Sequence, residues 1–193
     1  IMREALEREG APADILQCLQ NVNIPMTKAL MARADLVLAT GGKDMVKSAY
    51  SSGTPAYGVG AGNSTMIIDE TADIKQAALN SMIGRTSDFG SGCSADGNVI
   101  INEKIYDEMV EELINVGGYL ANEEEKEMLK NVMWDDHGKR TPNTVAIAPQ
   151  KLAEIAGFTI PEDRKFIMVK GDKIGKEYPF SGEKLTTLMA LYK

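Results

Sequence analysis

Histidine is almost missing from this sequence: His137 is the only one among 193 residues. A multi-histidine zinc site is excluded on that ground, since such a site draws several imidazoles from one chain. Cysteine is scarce too. Cys18 and Cys93 lie far apart and form no CxxC pair, and two thiols are too few to staple a chain of this size. Basic residues are in deficit, with 21 Lys and Arg against 28 Asp and Glu and a net charge of −7. Binding to nucleic acid or to an anionic membrane surface needs a basic face, so neither partner is expected. No run approaches the ~20 consecutive apolar residues of a spanning helix. The first twenty residues are charged and mixed, unlike a signal peptide. The expected compartment is the cytoplasm.

What is present describes a globular chain. Hydrophobic residues make up 44% and charged residues 25%, which excludes wholesale disorder. The length allows one domain or two small ones. The stretch from Ile1 to Gly10 reads as the end of a helix closed by a glycine, with no start signal before it. The other end stops on the apolar run Thr187-Leu188-Met189-Ala190-Leu191-Tyr192. The expectation is a piece of a longer protein.

The first third alternates. Ile15-Leu16-Gln17-Cys18-Leu19 reads as a short apolar strand with Cys18 as core filling. A helix starting at Pro25 follows, with Met26, Leu30 and Met31 on one face. Asp35-Leu36-Val37-Leu38-Ala39 reads as a strand buried on both faces. Thr40-Gly41-Gly42 breaks it, 43–50 reads as a helix, and 55–60 as a second strand. Such alternation with short connections implies a parallel α/β layer. Further on, 64–69 is strand-like, Asp73 opens a helix to about Ile83, and a loop rich in glycine and serine spans 88–97. A strand at 98–101, an amphipathic helix with Ile105, Met109, Leu113 and Val116 near one face, and a charged helix at 123–132 come next. Residues 134–143 read as a polar turn region, 151–156 as a helix ending at Gly157, and 165–169 and 185–192 as strands. A boundary near Gly60-Ala61-Gly62-Asn63 divides two domains, 1–62 and 63–193.

Cys93 is the sharpest candidate for chemistry. Glycines at 90, 92 and 97 let the backbone take positive φ and let a substrate approach the main chain. Two readings stand side by side, an activated nucleophile and a small buried apolar residue. Thr40-Gly41-Gly42 joins a strand to a helix, where open α/β sheets place ligands, although many such turns contain glycine with no ligand. Gly58-Val59-Gly60-Ala61-Gly62-Asn63 suits a backbone passing close to a cofactor, or equally a bend between domains. It is not the GxGxxG fingerprint, because the second spacing is wrong. Glu177 reads as a ribose acceptor or a solvated charge, His137 as an exposed loop residue, and the acidic runs at 111–112 and 123–125 as solvated helix faces.

The order of these segments is what carries a resemblance. Leu38-Ala39-Thr40-Gly41-Gly42, then Val46-Lys47-Ser48-Ala49-Tyr50-Ser51-Ser52-Gly53, then Gly58-Val59-Gly60-Ala61-Gly62-Asn63, then a cysteine about thirty residues on, resembles the CoA-acylating branch of the aldehyde dehydrogenase superfamily. The match continues through Tyr106-Asp107-Glu108 and Glu123-Glu124-Glu125-Lys126 to Ser181-Gly182-Glu183-Lys184-Leu185.

The resemblance implies a Rossmann-type NAD(P)-binding domain, partial over 1–62, and a partial α/β catalytic domain over 63–193. It implies oxidation of a small aldehyde to an acyl-CoA through a thiohemiacetal and a thioester on Cys93, with NAD or NADP as hydride acceptor and coenzyme A as cosubstrate. Thr40, Gly41, Gly42, Gly60 and Glu177 would bind the cofactor, Glu177 at the nicotinamide ribose, and the full-length protein would be a homo-oligomer without a metal. The hydrolytic relatives carry a glutamate base where Gly58 stands here, and its absence fits acyl transfer to a thiol. Arg85, eight residues before Cys93, is a candidate cation for an anionic substrate. The 192–193 end and the Ile1 end would both continue in the native chain, so the 193 residues alone are expected to show little turnover. Two rival readings are a hydrolytic aldehyde dehydrogenase and a nucleotide-binding or assembly module with an inert Cys93.

Overall fold

The structure is a computed structural model that describes all 193 residues, and it divides into two compact units, Ile1–Gly60 and Ala61–Lys193.

In the first unit, helices α1 (Met2–Arg8) and α2 (Ile24–Met31) precede strand β1 (Val37–Thr40), helix α3 (Lys43–Tyr50) and strand β2 (Ala56–Val59). Asn23 caps α2 by accepting the Met26 N–H at 2.9 Å, with Pro25 in the first turn. β1 and β2 pair in parallel, Val37 with Ala56 through Thr40 with Val59, and α3 forms the crossover. The core is small: Met31, Val37, Ala39 and Ala49. Leu38 is 76% exposed, so β1 buries one face here and not the two that its apolar run implies. Residues 15–19 are a bend followed by irregular chain instead of a strand, and Cys18 is exposed, not core. The apolar run there is too short and too polar at its flanks to pair with anything, and Ile15 and Leu19 stay in solvent.

The second unit is a five-stranded parallel sheet in the order β3-β4-β7-β6-β5. β3 (Thr65–Ile68) leads to α4 (Ile74–Thr86), β4 (Asn98–Ile101) to α5 (Tyr106–Asn115), and β5 (Gly118–Leu120) to α6 (Glu123–Met133). α7 (Pro149–Ala156), β6 (Phe166–Lys170) and β7 (Leu188–Tyr192) complete it. Side chains alternate across the strands and build two cores. Ile68, Val99, Ile101, Phe166, Met168, Met189 and Leu191 pack with Met109 and Leu113 of α5 on one face. Ile167, Val169, Leu188 and Ala190 pack with Leu129, Met133 and Leu152 on the other. Each fully buried Leu, Met or Phe contributes about 2 kcal/mol at ~25 cal/mol/Å².

The local signals set the helix ends. Asp73 caps α4 through the Gln76 N–H at 3.1 Å. Asn122 and Glu125 form a reciprocal capping box on α6, which therefore uses its acidic run and is not merely a solvated face. Gly157 ends α7 at φ 97°. Trp134, read as part of a polar turn, is buried edge-on against Phe180 with the Arg140 guanidinium over its ring.

A candidate active site at the head of three strands

Three loops that feed the adjacent parallel strands β3, β4 and β7 meet around Cys93. They are 62–64, 91–97 and 182–187, so the thiol sits at the amino ends of the strands. Gly62, Asn63, Ser64, Gly92, Cys93, Gly97, Glu183 and Lys184 are among the residues around a cavity of about 10 Å³ there. Cys93 itself is a free, exposed thiol.

The approach to Cys93 is strained. Asp88 and Phe89 lie at φ 45° and 52°, and Gly90 follows at 67°. Two successive non-glycine residues in the left-handed region cost on the order of 1–3 kcal/mol each, and persist only where the surroundings hold them. Beyond this turn, Ala95 N–H donates to Gly92 O at 3.0 Å, and Gly97 N–H to Ser64 O at 3.0 Å. The N–H groups of Gly92, Cys93 and Ser94 take no partner within the chain. Gly62 is packed so close that a Cβ there would stand 2.5 Å from Cys93 O. Only a residue without a side chain lets the two backbones approach this way.

Two buried cations, Arg85 and Lys184, and the half-buried Arg140 underlie the loops. Arg85 is 1% exposed, and its Nη atoms donate to Gly90 O, Asp96 O and Ala95 O at 2.7, 2.9 and 3.3 Å. Burial draws its pKa down to about 10, with Asp96 and Glu183 opposing the shift. Its position in the interior corrects the expectation that Arg85 meets an anionic substrate. Lys184 is fully buried and donates to Phe180 O, Gly182 O and Asn98 Oδ1 at 2.6, 2.8 and 3.0 Å. Its pKa falls well below the usual lysine value because of burial, and then because of the nearby Arg85 and Arg140. Arg140 reaches Lys184 O at 3.0 Å, Thr144 Oγ1 at 2.8 Å and Met133 O; burial brings it to about 10 as well. None of the three forms an ion pair; carbonyls, the Asn98 amide and the Thr144 hydroxyl take the charge instead.

Two carboxylates in the 175–184 segment differ in placement. Glu177 lies in an exposed turn and makes no hydrogen bond. Glu183 accepts the Gly62 N–H at 2.9 Å and lines the cavity beside Cys93. The sequence pattern points to Glu177, whereas the structure sets Glu183 beside Cys93; the block Ser181-Gly182-Glu183-Lys184-Leu185 is the sequence signal for that position. Asn98 joins Lys184 Nζ, Asn63 Oδ1 and Ser181 O, and only the folding of three separate loops reveals it. A larger cavity of about 1080 Å³ is lined by Thr65 of β3 and Asn98 and Ile100 of β4, and by Trp134, His137, Arg140 and Ile174 among others.

The first unit holds the other candidates. Thr40, Gly41 and Gly42 form one turn from β1 into α3. Gly41 N–H donates to Val59 O at 3.0 Å, and Gly42 caps α3 without a side-chain acceptor. The first N–H groups of α3 therefore face outward, a polarity that suits an anionic or strongly polar ligand. Gly60 closes this unit in an exposed position. Gly58 has a packing reason to be glycine: a Cβ there would stand 2.6 Å from Val46 Cγ1, and its N–H donates to Tyr50 Oη at 3.0 Å. The space at 58 is filled by α3, so a glutamate base could not occupy it in this packing.

Comparison with known proteins places this arrangement. The model of the aldehyde dehydrogenase family matches residues 1–130. Sulfoacetaldehyde dehydrogenase from Acholeplasma is 40% identical over 99% of the chain. The chain spans 40% of that relative's length. The crystal structure of an acetylating aldehyde dehydrogenase from Geobacillus thermoglucosidasius superposes with a TM-score of 0.95 at 41% identity, covering 99% of this chain and 42% of that one. A propionaldehyde dehydrogenase from Rhodopseudomonas palustris, solved with bound CoA and an acylated cysteine, gives 0.89 at 26% identity, over 99% of this chain and 44% of that one. The parallel α/β layers, the glycine-flanked thiol and the family match over most of the sequence lead to one statement: this chain belongs to the aldehyde dehydrogenase family.

Proposed function

We propose that the protein containing this chain oxidises an aldehyde to an acyl-CoA, with Cys93 as the carrier of the acyl group. The observation that carries this reading is the Cys93 turn, an exposed thiol followed and preceded by N–H groups with no internal partner. Cys93 Sγ, as thiolate, forms a bond to the aldehyde carbon while the carbonyl π electrons move onto oxygen. The Cys93 N–H is free to hold that oxyanion, and one such donor is typically worth about 3 kcal/mol. NAD(P)+, when bound, supplies the hydride acceptor that turns the thiohemiacetal into a thioester. The thiol of CoA then attacks the thioester carbon, the C–Sγ bond breaks, and acyl-CoA departs with Cys93 restored.

Thr40, Gly41 and Gly42 would hold the cofactor at the head of α3, with Gly60 giving the backbone room. The ribose role passes from Glu177 to Glu183, because Glu183 is the carboxylate built against the Cys93 loop. Its second oxygen remains available to accept from a hydroxyl. Segment 58–63 contains no carboxylate to activate water, which favours a thiol as the acceptor. A cytoplasmic homo-oligomer is the state we assign to the whole protein.

The test is NAD(P)H formation by the full-length protein with aldehyde, in the presence and absence of CoA. Strict dependence on CoA is the expected result. Equal rates without it would favour hydrolysis, and no NAD(P)H at all would favour a binding module with an inert thiol.

A further inference from the structure

We infer that Arg85 is a positioning residue for Cys93, acting through the carbonyls of the nucleophile loop and not on the substrate. The inference rests on the acyl-transfer reading of Cys93.

Arg85 sits at the end of α4, and its planar guanidinium bridges the two flanks of the thiol. Nη2 takes Gly90 O before Cys93, and Nη1 takes Ala95 O and Asp96 O after it. Each peptide unit is flat, so a carbonyl turned inward sends the following N–H the other way. Pinning the carbonyls on both flanks therefore fixes the orientation of the segment between them. That segment presents the partnerless N–H groups of Gly92, Cys93 and Ser94.

The left-handed turn at Asp88, Phe89 and Gly90 needs an anchor, and the Gly90 carbonyl is where Arg85 bonds at 2.7 Å. The fit is close, since a Cβ on Gly90 would stand 2.6 Å from Nη2. The stabilising partners of this cation are all carbonyls of the loop, with Asp96 and Glu183 near enough to favour its charge. No carboxylate bonds to it, and its Nε is buried without a partner. Lysine could not do the same work, because one ammonium cannot span both flanks as a fork does.

The experiment uses the full-length protein and its Arg85→Met and Arg85→Lys variants. Three quantities are read: kcat per acylatable site, the rate of Cys93 alkylation by iodoacetamide located by peptide mass spectrometry, and KM for NAD(P)+. Displacing reacting groups by ~1 Å costs about 10²-fold. Arg85→Met is therefore expected to lower kcat and alkylation together by at least about ten-fold, with KM for NAD(P)+ within about two-fold. Arg85→Lys should fall between it and the parent. A structural role alone would reduce the folded fraction and leave both rates per site unchanged, and that result overturns the inference. If Arg85→Met does not accumulate as folded protein, Arg85→Lys is read in its place, and parental rates there overturn it equally. A parent protein with no acyl group on Cys93 would instead sink the acyl-transfer reading, which separates the two failures.

Discussion

The chain has two exposed thiols, one in each unit, and their surroundings differ in every respect that matters for chemistry. Cys18 lies in the irregular segment between α1 and α2. Its only nearby polar contact is Leu19 O at 3.7 Å, and the segment is tied mainly by Arg3 to Leu16 O on the surface. Ile15 and Leu19 beside it stay 61% and 43% exposed. Cys93 lies in a turn whose flanks are bonded to a buried guanidinium and whose carbonyl abuts Gly62. Exposure is common to both. A frame that holds the backbone and leaves N–H groups unspent belongs to one.

The largest difference between the two thiols is expected when each sulfur is removed in turn from the full-length protein. Cys93→Ser should lower aldehyde-dependent NAD(P)H formation by roughly 10⁴-fold or more, while Cys18→Ser should leave it within about two-fold. Comparable losses from both would mean that framing is irrelevant.

Next in size are the side chains beneath each loop. Lys184→Met would strand Phe180 O, Gly182 O and Asn98 Oδ1 in the interior. A loss of about 3 kcal/mol in a denaturant titration is expected. Arg3→Ala, on the surface beneath Cys18, should cost under about 0.5 kcal/mol.

Glycine substitutions sharpen the contrast further. Gly62→Ala puts a methyl group 2.5 Å from Cys93 O, for about 1–3 kcal/mol of overpacking and slower alkylation of Cys93. Gly10→Ala meets open space at φ +83°. Its cost is backbone strain alone, about 1 kcal/mol, with no change at either thiol.

The smallest effect lies away from both loops. Tyr119 donates to Glu125 Oε1 at 2.7 Å, and that hydrogen bond, with burial, raises its pKa to about 12. The folded value exceeds the ordinary one near ~10, so this contribution to stability is whole below about pH 10 and fades as pH rises through about 12. Glu125→Gln keeps the capping geometry and should bring the late tyrosine titration down in a 295 nm absorbance scan, without touching Cys93 alkylation.

Legibility followed the range of the interactions. The turn at Thr40-Gly41-Gly42, the cap at Asp73 and the C-cap at Gly157 were readable because a few consecutive residues decide them. Cys18 was misread because a short apolar run looks the same in a strand and in a bend, and the partner that would pair it is a tertiary fact. Arg85 was misread for the same reason: a cation near a nucleophile in sequence can face substrate or backbone, and only packing selects. At Gly58 the lack of a carboxylate is legible in the sequence, whereas the packing of Val46 and Tyr50 around the position is a tertiary fact.

Sequence alone determined the parallel α/β class and the thiol on which the chemistry is proposed. Periodicity, composition and motif order are local properties, and they survive being read along one dimension. Tertiary structure alone decided which carboxylate stands beside Cys93, and which buried cation holds its loop. Glu183 reaches Gly62, 121 residues away along the chain, only after β3, β4 and β7 align side by side, and Arg85 reaches Asp96 only after the loop behind α4 folds back over that helix.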